Sequence, residues 1–247
     1  NTRAEALRSG LREVLERDAF ATTWLLERPP PHIDLDRVPD PDVARWRDHH
    51  RRSGRSPSLL WLTNDIDFPV VAAQVVDPAG PRRHILGFGA STDPRRAMRR
   101  AVEEAEQGRL LLQHLFRTGA RIPADERAAM SLEGQLMYWQ DPTRLPRLGF
   151  LTDPERVVDP DDLADLTGAT PYDDVQTILR LLHRRGLEAF FVDVTPPEFR
   201  GRLPLRVAAS LVPGAQPVRM GSKPPCLLNP RLGRSPERLN TLPPPFA

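Results

Sequence analysis

The sequence contains a single cysteine, no long apolar run and no gathering of charge of one sign. Cys226 alone cannot form an internal disulfide framework or a cysteine-based zinc site. Because the chain has neither an apolar run that could cross a bilayer nor a signal-like start, we expect a cytoplasmic protein without a membrane partner. Its 35 Lys and Arg residues are interleaved with 33 Asp and Glu residues. Although the pI is about 9.2, this mixing argues against a nucleic-acid-binding face, and we expect no nucleic-acid partner.

Two common phosphate-binding motifs are also missing. Gly87-Phe-Gly89 lacks the third glycine of a dinucleotide-binding fingerprint, since Thr92 stands in its place, and no Walker lysine follows. We therefore interpret the two glycines as a tight turn from a strand end into a helix. The six histidines show no metal-ligand spacing with one another, so we interpret them as structural or exposed.

What is present is the composition and patterning of a globular α+β protein. The 247 residues, 39% hydrophobic and 28% charged, can bury a substantial core as one large or two small domains. Hydrophobic periodicity, proline and glycine predict helices and strands in alternation. We expect helices from almost residue 1 to about residue 26, over 41–50, from residue 94 to before residue 119, and over 172–185. We expect strands over 69–76, 84–88, 188–194 and 205–212. Because strands adjoin both as a hairpin and through a helix, we predict a mixed sheet layered with long helices.

The first helix has an apolar stripe and an acidic side. Thr2 and Glu5 form a capping-box pattern, so the helix begins almost at the first residue. At about 100° per residue, one side of the helix is apolar and carries Leu7, Leu11, Val14 and Leu15. The opposite side carries Glu5, Glu13 and Glu16. With the amide oxygen of Asn1 they form a set of hard oxygen ligands suited to Mg²⁺, which usually arrives with phosphates. The alternative is a solvated acidic face, which spacing alone does not exclude.

The second long helix combines a stripe of small residues with a charged line. Asp93 and Pro94 predict its start, and the small residues Ala97, Ala101, Ala105 and Gly108 would let it approach a sheet closely. Arg100 and Glu104 lie one turn apart beside that stripe. Either they form an i,i+4 ion pair that supports the helix, or Arg100 belongs to a site.

Five stretches of the chain, taken in order, resemble the YcaO family. The first is similar to its central ATP-binding helix. The stretches are Asn1-Thr-x-x-Glu5-Ala-x-x-x-Gly10-Leu-x-Glu13-Val-Leu-Glu16-Arg17-Asp18, Gly87-Phe-Gly-Ala-Ser-x-Asp-Pro94 with its following helix, Val192-Asp-Val-Thr-Pro196, Val212-Pro-Gly-Ala-Gln-Pro217 and Asn229-Pro-Arg-Leu232.

The resemblance implies a YcaO-type ATP-binding fold whose N-terminal half is absent. Residues 1–247 would form the C-terminal portion of such a domain and end in a proline-rich tail, 240–247. The resemblance assigns Mg²⁺ and ATP contacts to Asn1, Glu5, Glu13 and Glu16. It also places Arg17 close to the phosphates and makes Arg100 a nucleotide-contacting arginine. For Arg17 the alternative is a surface ion pair with Glu13.

The proline-rich end points to one branch of the family. Azoline-forming YcaO enzymes have a C-terminal Pro-x-Pro-x-Pro tail that reaches the active site and helps catalysis. Pro243 and Pro245 match this pattern, Thr241 replaces its first proline, and Ala247 is its last residue. By resemblance we therefore assign catalytic roles to Pro243, Pro245 and Ala247. A segment without helix or strand periodicity is expected to bury little apolar area.

The resemblance implies an ATP-dependent cyclodehydratase. Such an enzyme converts Cys, Ser or Thr of a ribosomal precursor peptide into thiazoline or oxazoline by phosphorylating the backbone amide. Expected partners are the precursor peptide, a ThiF-like protein that binds its leader, and a second copy of the chain in a homodimer. Two alternatives remain open. They are a peptide-binding scaffold on the same fold without ATP turnover, and an enzyme of the thioamide- or amidine-forming branch.

Overall fold

The computed structural model describes residues 1–62, 64–77, 79–80, 83–129, 131–219 and 224–245. In this part of the chain the helices are α1 (Arg3–Leu26), α2 (Pro41–Arg52), α3 (Pro94–Arg117), α4 (Leu132–Tyr138), α5 (Gly149–Thr152) and α6 (Pro171–Arg184). The strands are β1 (His32–Ile33), β2 (Ser56–Trp61), β3 (Val70–Val76), β4 (His84–Ala90), β5 (Val157–Val158), β6 (Phe190–Asp193) and β7 (Ala208–Leu211). Among the described helices, none combines the length and apolarity that a membrane crossing requires.

The strands form two separate sheets. Five strands pair in the order β4-β3-β2-β1-β5, with every pair antiparallel except β1 and β5. The predicted hairpin is the antiparallel pair β3 and β4. The two late strands, β6 and β7, pair only with each other. The predicted α+β class with a mixed sheet layered with long helices is confirmed, although the late strands stand apart from that sheet.

Helices cover both faces of the five-stranded sheet. Alternate side chains of a strand point to opposite faces, so Leu86 and Phe88 of β4 pack with α1, whereas Ile85 packs with α3. Helix α6 and the second sheet pack beside α1. Helix α2 packs beside α3. The sheet therefore separates the two long helices everywhere except at its β4 edge.

Helix α1 follows the sequence prediction closely at its start. Thr2 accepts a hydrogen bond from the Glu5 N–H at 3.2 Å, and the Thr2 N–H donates to Glu5 Oε2 at 2.6 Å, which completes the capping box. Leu11 and Leu15 are buried, as predicted. At Gly10 the helix runs so close to β7 that a Cβ would lie 2.3 Å from Ser210 Oγ.

Helix α3 lies directly against β4, and this contact corrects one prediction. Gly87 and Gly89 lie within β4, not in a turn leading into the helix. A Cβ on Gly89 would lie 2.1 Å from the carbonyl oxygen of Ala97. A Cβ on Gly87 would lie 2.1 Å from the backbone nitrogen of Ala105. The small-residue stripe of α3 thus meets a glycine stripe of the strand, which confirms the predicted close approach.

A buried ionic cluster ties three distant segments to the second half of α1. The Asp18 carboxylate is fully buried. It accepts hydrogen bonds from both Nη atoms of Arg231 at 2.5 and 2.9 Å, from Asn64 Nδ2 at 2.6 Å and from the Gln216 N–H at 2.6 Å. Arg231 also binds Asp65 at 2.5 Å. Three of the motifs that carry the family resemblance therefore meet at one carboxylate.

The proline-rich tail is buried, contrary to the expectation that it buries little area. Trp24 Nε1 donates to the Leu242 carbonyl at 3.1 Å, and Trp139 Nε1 donates to the Pro243 carbonyl at 2.7 Å. Pro243 and Pro245 are buried themselves. Ala247 lies outside the described residues. Because prolines lack the N–H that helices and strands require, the tail has no regular structure, and two tryptophan N–H groups satisfy its Leu242 and Pro243 carbonyls instead.

We predict that Gly89→Ala destabilises the protein by about 3 kcal/mol or more, since overpacking usually costs about 1–3 kcal/mol and here backbone opposes backbone. The matched control is Gly108→Ala on α3, where the nearest atoms to a new Cβ lie 3.9 Å away. It should stabilise the protein by about 0.5–1 kcal/mol through helix propensity. Urea unfolding of both variants provides the measurement. Equal effects would contradict the proposed α3–β4 contact.

Candidate functional site

Three carboxylates converge where α1 and α3 meet around the β4 edge. Glu13 and Glu16 come from α1, on the side facing away from Leu11. Glu104 comes from α3 on the opposite face of the sheet, and its Oε2 accepts a hydrogen bond from the Phe88 N–H at 2.9 Å. Phe88 lies on an edge strand, so this N–H has no neighbouring strand to bind. Glu104 is thereby held beside the α1 carboxylates.

Glu16 and Glu104 repel each other in a largely desolvated place, and Glu13 lies at its exposed margin. Burial, then the charges of Glu104 and Glu13, raise the pKa of Glu16 to about 8. Burial raises the pKa of Glu104 as well, despite the opposing hydrogen bond from Phe88. Desolvation and like charge both disfavour ionised carboxylates. A divalent cation bound among them would relieve both penalties, so this pattern is typical of a metal or functional site.

Arginines flank the carboxylates on both helices. Arg17 pairs with Glu13 at 2.5 Å, and both side chains are roughly half exposed. This is the i,i+4 surface pair that was the alternative for Arg17. In the described part of the chain, Arg100 and Glu104 form no ion pair. The helix-support interpretation of that pair is therefore wrong, and Arg100 instead lies near Arg12, whose pKa its charge helps to lower.

Asn1 and Glu5 lie apart from the other predicted ligands. At about 1.5 Å per residue, Glu5 is about 16 Å along the helix axis from Glu16. Its carboxylate is engaged by the capping box, and the hydrogen bonds from Thr2 lower the pKa of Glu5. The Asn1 amide bridges to Arg206, accepting from its N–H at 2.7 Å and donating to its carbonyl at 3.0 Å. The four predicted ligands therefore cannot surround one ion, which corrects the single-set interpretation.

The remaining cluster fits an ion that takes only part of its ligands from this chain. Among the described residues, no three His, Cys, Asp or Glu side chains converge tightly enough to enclose a metal ion. Mg²⁺ commonly binds through one or two carboxylates and completes its shell with phosphate oxygens and water. Glu13, Glu16 and Glu104 suit that mode of binding, whereas a fully protein-lined metal cage is absent from the described part.

Sequence reasoning missed Glu104 as a member of this cluster. The i,i+4 spacing with Arg100 suggested helix support, because such pairs are frequent. The overlooked signal was its position at the margin of the small-residue stripe. A helix lying flush on an edge strand brings the residue at that margin to the edge itself.

A family model described as YcaO cyclodehydratase, ATP- and Mg²⁺-binding, matches residues 1–216. With an α+β fold and a carboxylate cluster at the sheet edge, the chain is an ATP- and Mg²⁺-binding domain. It belongs to the YcaO cyclodehydratase family.

Three solved structures are similar to the chain over most of its length. The heterocyclase TruD matches 99% of this chain and 33% of its own, with 25% identity and a TM-score of 0.77. A heterocyclase in complex with substrate and cofactor matches 100% of this chain and 32% of its own, with 27% identity and a TM-score of 0.79. YcaO from Methanopyrus kandleri, bound with AMPPCP and Mg²⁺, matches 88% of this chain and 56% of its own, with 26% identity and a TM-score of 0.64.

Two curated relatives match as well. An uncharacterised protein of Methanothermobacter thermautotrophicus is 30% identical over 198 residues, which is 79% of this chain and 49% of that protein. An uncharacterised protein from the tfuA 3′ region of Rhizobium leguminosarum bv. trifolii is 35% identical over 122 residues, 44% of this chain and 29% of that protein. The chain thus spans about half or less of the curated relatives it matches.

The raised pKa of Glu16 predicts a pH-dependent gain in stability from Glu16→Gln without metal. The unfolded carboxyl ionises near pH 4.5, whereas the folded carboxyl keeps its proton up to about pH 8. The folded state therefore loses stability relative to the unfolded state as the pH rises between these values. In the presence of a chelator, the melting temperature of Glu16→Gln should exceed that of the wild type slightly at pH 5 and most at pH 9.

The matched control for this prediction is Glu5→Gln on the same helix. The pKa of Glu5 is lowered, so its carboxylate stabilises the fold above its ordinary pKa and loses that effect as the pH falls. Glu5→Gln should lower the melting temperature at pH 7. A Glu16→Gln curve parallel to the wild type at every pH would contradict the crowding of carboxylates at the β4 edge.

Proposed function

We propose that this chain carries the nucleotide centre of an ATP-dependent cyclodehydratase. The substrate would be a ribosomal precursor peptide, whose Cys, Ser or Thr residues become thiazoline or oxazoline. The main support for this proposal is the cluster of Glu13, Glu16 and Glu104 at the β4 edge, in a domain of an ATP- and Mg²⁺-binding family. The similarity to heterocyclase structures over the whole chain supports this proposal.

Each charged group has a role that follows from its place. Glu13, Glu16 and Glu104 would hold Mg²⁺, which neutralises the charge of the phosphates. Arg17 lies one turn beyond Glu13 and would turn its planar fork toward phosphate oxygens when metal engages that carboxylate. Arg100 would contact the nucleotide from α3. Asn1 and Glu5 would serve farther along an extended nucleotide, since Glu5 lies about two to three helical turns away and Asn1 about one turn beyond it.

The proposed chemistry needs positioning more than covalent participation by the protein. The thiol or hydroxyl of the substrate adds to the preceding amide carbonyl and loses its proton. The resulting oxyanion attacks the γ-phosphorus of ATP and releases ADP. Expulsion of phosphate together with loss of the amide N–H proton then leaves the C=N bond of the azoline. Preorganised charges near the phosphates lower the barrier of such a transfer. A ThiF-like partner for the leader peptide and a homodimer remain part of the proposal.

The docked tail favours the azoline branch over the thioamide- or amidine-forming branch. Trp24 and Trp139 hold the tail through the Leu242 and Pro243 carbonyls, and Pro243 and Pro245 are buried. The chain continues from there to Ala247, which keeps its proposed catalytic role with the two prolines. A scaffold without ATP turnover would need neither a fixed tail nor crowded carboxylates, so both features argue for an enzyme.

We expect Glu16→Gln and Glu104→Gln to reduce Mg²⁺-dependent phosphate release from ATP by about a hundredfold or more. Even the mutation of a group that only orients a metal ligand typically reduces metal affinity or activity by about ten- to a hundredfold. The control is Glu103→Gln, an exposed neighbour on α3 that should retain full turnover. The assay uses the purified protein in its natural length with precursor peptide. Unchanged turnover in Glu16→Gln would restore the solvated-face interpretation and favour the scaffold.

Removal of Pro243–Ala247 should lower both heterocycle yield and thermal stability. The truncation breaks the buried bond from Trp139, which costs about 1–3 kcal/mol, and each kcal/mol corresponds to about 2–4 °C in a chain of this size. Mass spectrometry of the peptide and melting curves measure the two effects. Leu112→Ala, in the core on the α3 side of the sheet, is the stability control, and below its melting temperature it should keep its yield. Full yield from the truncated protein would remove the tail from catalysis.

A further inference from the structure

A second, cationic pocket adjoins the carboxylate cluster without sharing its residues. It lies between the first half of α1, the start of α3 and the loop that leads into α6, and has a volume of about 160 Å³. Arg8 and Arg12 line it from α1, and Arg96 lines it from α3. Thr167, Gly168, Ala169 and Thr170 close it from the loop. None of the three carboxylates at the β4 edge lines this pocket.

The acidic residues of the pocket already accept hydrogen bonds from other groups of the protein. Asp174 binds Arg8 at 2.8 Å and also accepts hydrogen bonds from Thr92 Oγ1 at 3.1 Å and the Gly168 N–H at 2.9 Å. Asp93 caps α3 through the Arg95 N–H at 2.9 Å. Asp174 thus offsets the charge of Arg8 only. In the described part of the chain neither Arg12 nor Arg96 forms an ion pair, and the nearby charge of Glu16 offsets that of Arg12 only in part.

Arg12 is the group whose hydrogen-bonding capacity a ligand would satisfy. Its side chain lines the pocket while the residue is only 8% exposed, and its Nε has no hydrogen-bond partner among the described residues. Burial and the charges of Arg100, Arg8 and Arg96 lower its pKa to about 10, so it remains a cation at neutral pH. A buried cation with an unpaired hydrogen-bond donor lowers the stability of the fold unless an anion binds to it.

We propose that this pocket binds a phosphate-type oxyanion. Three guanidinium groups from two helices converge on a volume suited to a small tetrahedral anion, and arginine forks match its oxygens. The first turn of α6, capped by Thr170, adds a positive dipole end at the same wall. Because Arg12 lies one turn before Glu16, the pocket opens beside the place where ATP would lose its phosphate. Its use as a site for the released phosphate rests on the proposed function, whereas anion binding itself does not.

The direct test is calorimetric titration of the chain with sodium phosphate, in a chelator, without nucleotide and at constant ionic strength. The wild type should show saturable binding at one site. Arg12→Met keeps the apolar stem and removes the forked donor, so it should weaken binding by about tenfold or more. Arg96→Met, at an exposed position that folding does not require, should weaken binding as well. Arg3→Met on the exposed start of α1 is the matched control and should bind as the wild type does.

Melting curves provide a second readout that does not depend on affinity. Without phosphate, Arg12→Met should melt no lower than the wild type, because it removes a buried charge that is offset only in part. Added phosphate should raise the melting temperature of the wild type and leave that of Arg12→Met unchanged.

Four results would overturn the proposal. The first is that the wild type shows no saturable phosphate binding, and the second is that Arg12→Met binds phosphate as tightly as the wild type. The third is that Arg3→Met loses as much affinity as Arg12→Met, and the fourth is that a glutamate-rich peptide binds more tightly than phosphate. Glu16→Gln separates the two sites, since it should bind phosphate normally in the chelator while losing ATP turnover. Binding that requires both Mg²⁺ and Glu16 would place the anion in the carboxylate cluster instead. Phosphate binding without any ATP turnover in the wild type would overturn the proposed function alone.

Discussion

The burial of the Asp18 carboxylate is the constraint on which the position of α1 depends. A fully buried carboxylate is tolerated only when donors satisfy it, and Asp18 receives them from Asn64, Gln216 and Arg231. These donors come from a loop after β2 and from two segments that follow β7. All must be in place before the charge is satisfied. The cluster therefore locks the end of α1 to the C-terminal part of the chain.

The same helix presents the proposed ligands, Arg12 and Glu16, on the side opposite this anchor. Asp18 and Glu16 are two residues apart, about 200° around the helix, so one faces the ionic cluster and the other faces α3. Along the functional side, Arg12 is followed one turn later by Glu16. A cationic and an anionic group thus follow one another on one side of the helix, about 6 Å apart along its axis. A rigid anchor on one face keeps that interval fixed.

Local rules predicted the features that local chemistry determines. The Thr2–Glu5 capping box, the Asp93 cap with Pro94, and the small stripe of α3 all follow from residues near one another in sequence. The strand β2 was missed because Ser56, Pro57 and Ser58 look like a loop, and only pairing with β3 makes them a strand. Glu104 was missed for the same reason, since its partner is a backbone N–H on an edge strand. The tail was misjudged because its two tryptophan partners lie more than a hundred residues away.

The hydrogen bond from Phe88 to Glu104 has a consequence for solubility. An edge strand with free N–H groups is a template on which a second chain can add a strand, and this is a route to aggregation. In the described part of the chain, β4 is an edge strand of the five-stranded sheet. Glu104 occupies one of its outward N–H groups, and α3 lies flush over the strand through Gly87 and Gly89. The residue that completes the carboxylate cluster thus also blocks one position at which an added strand would pair.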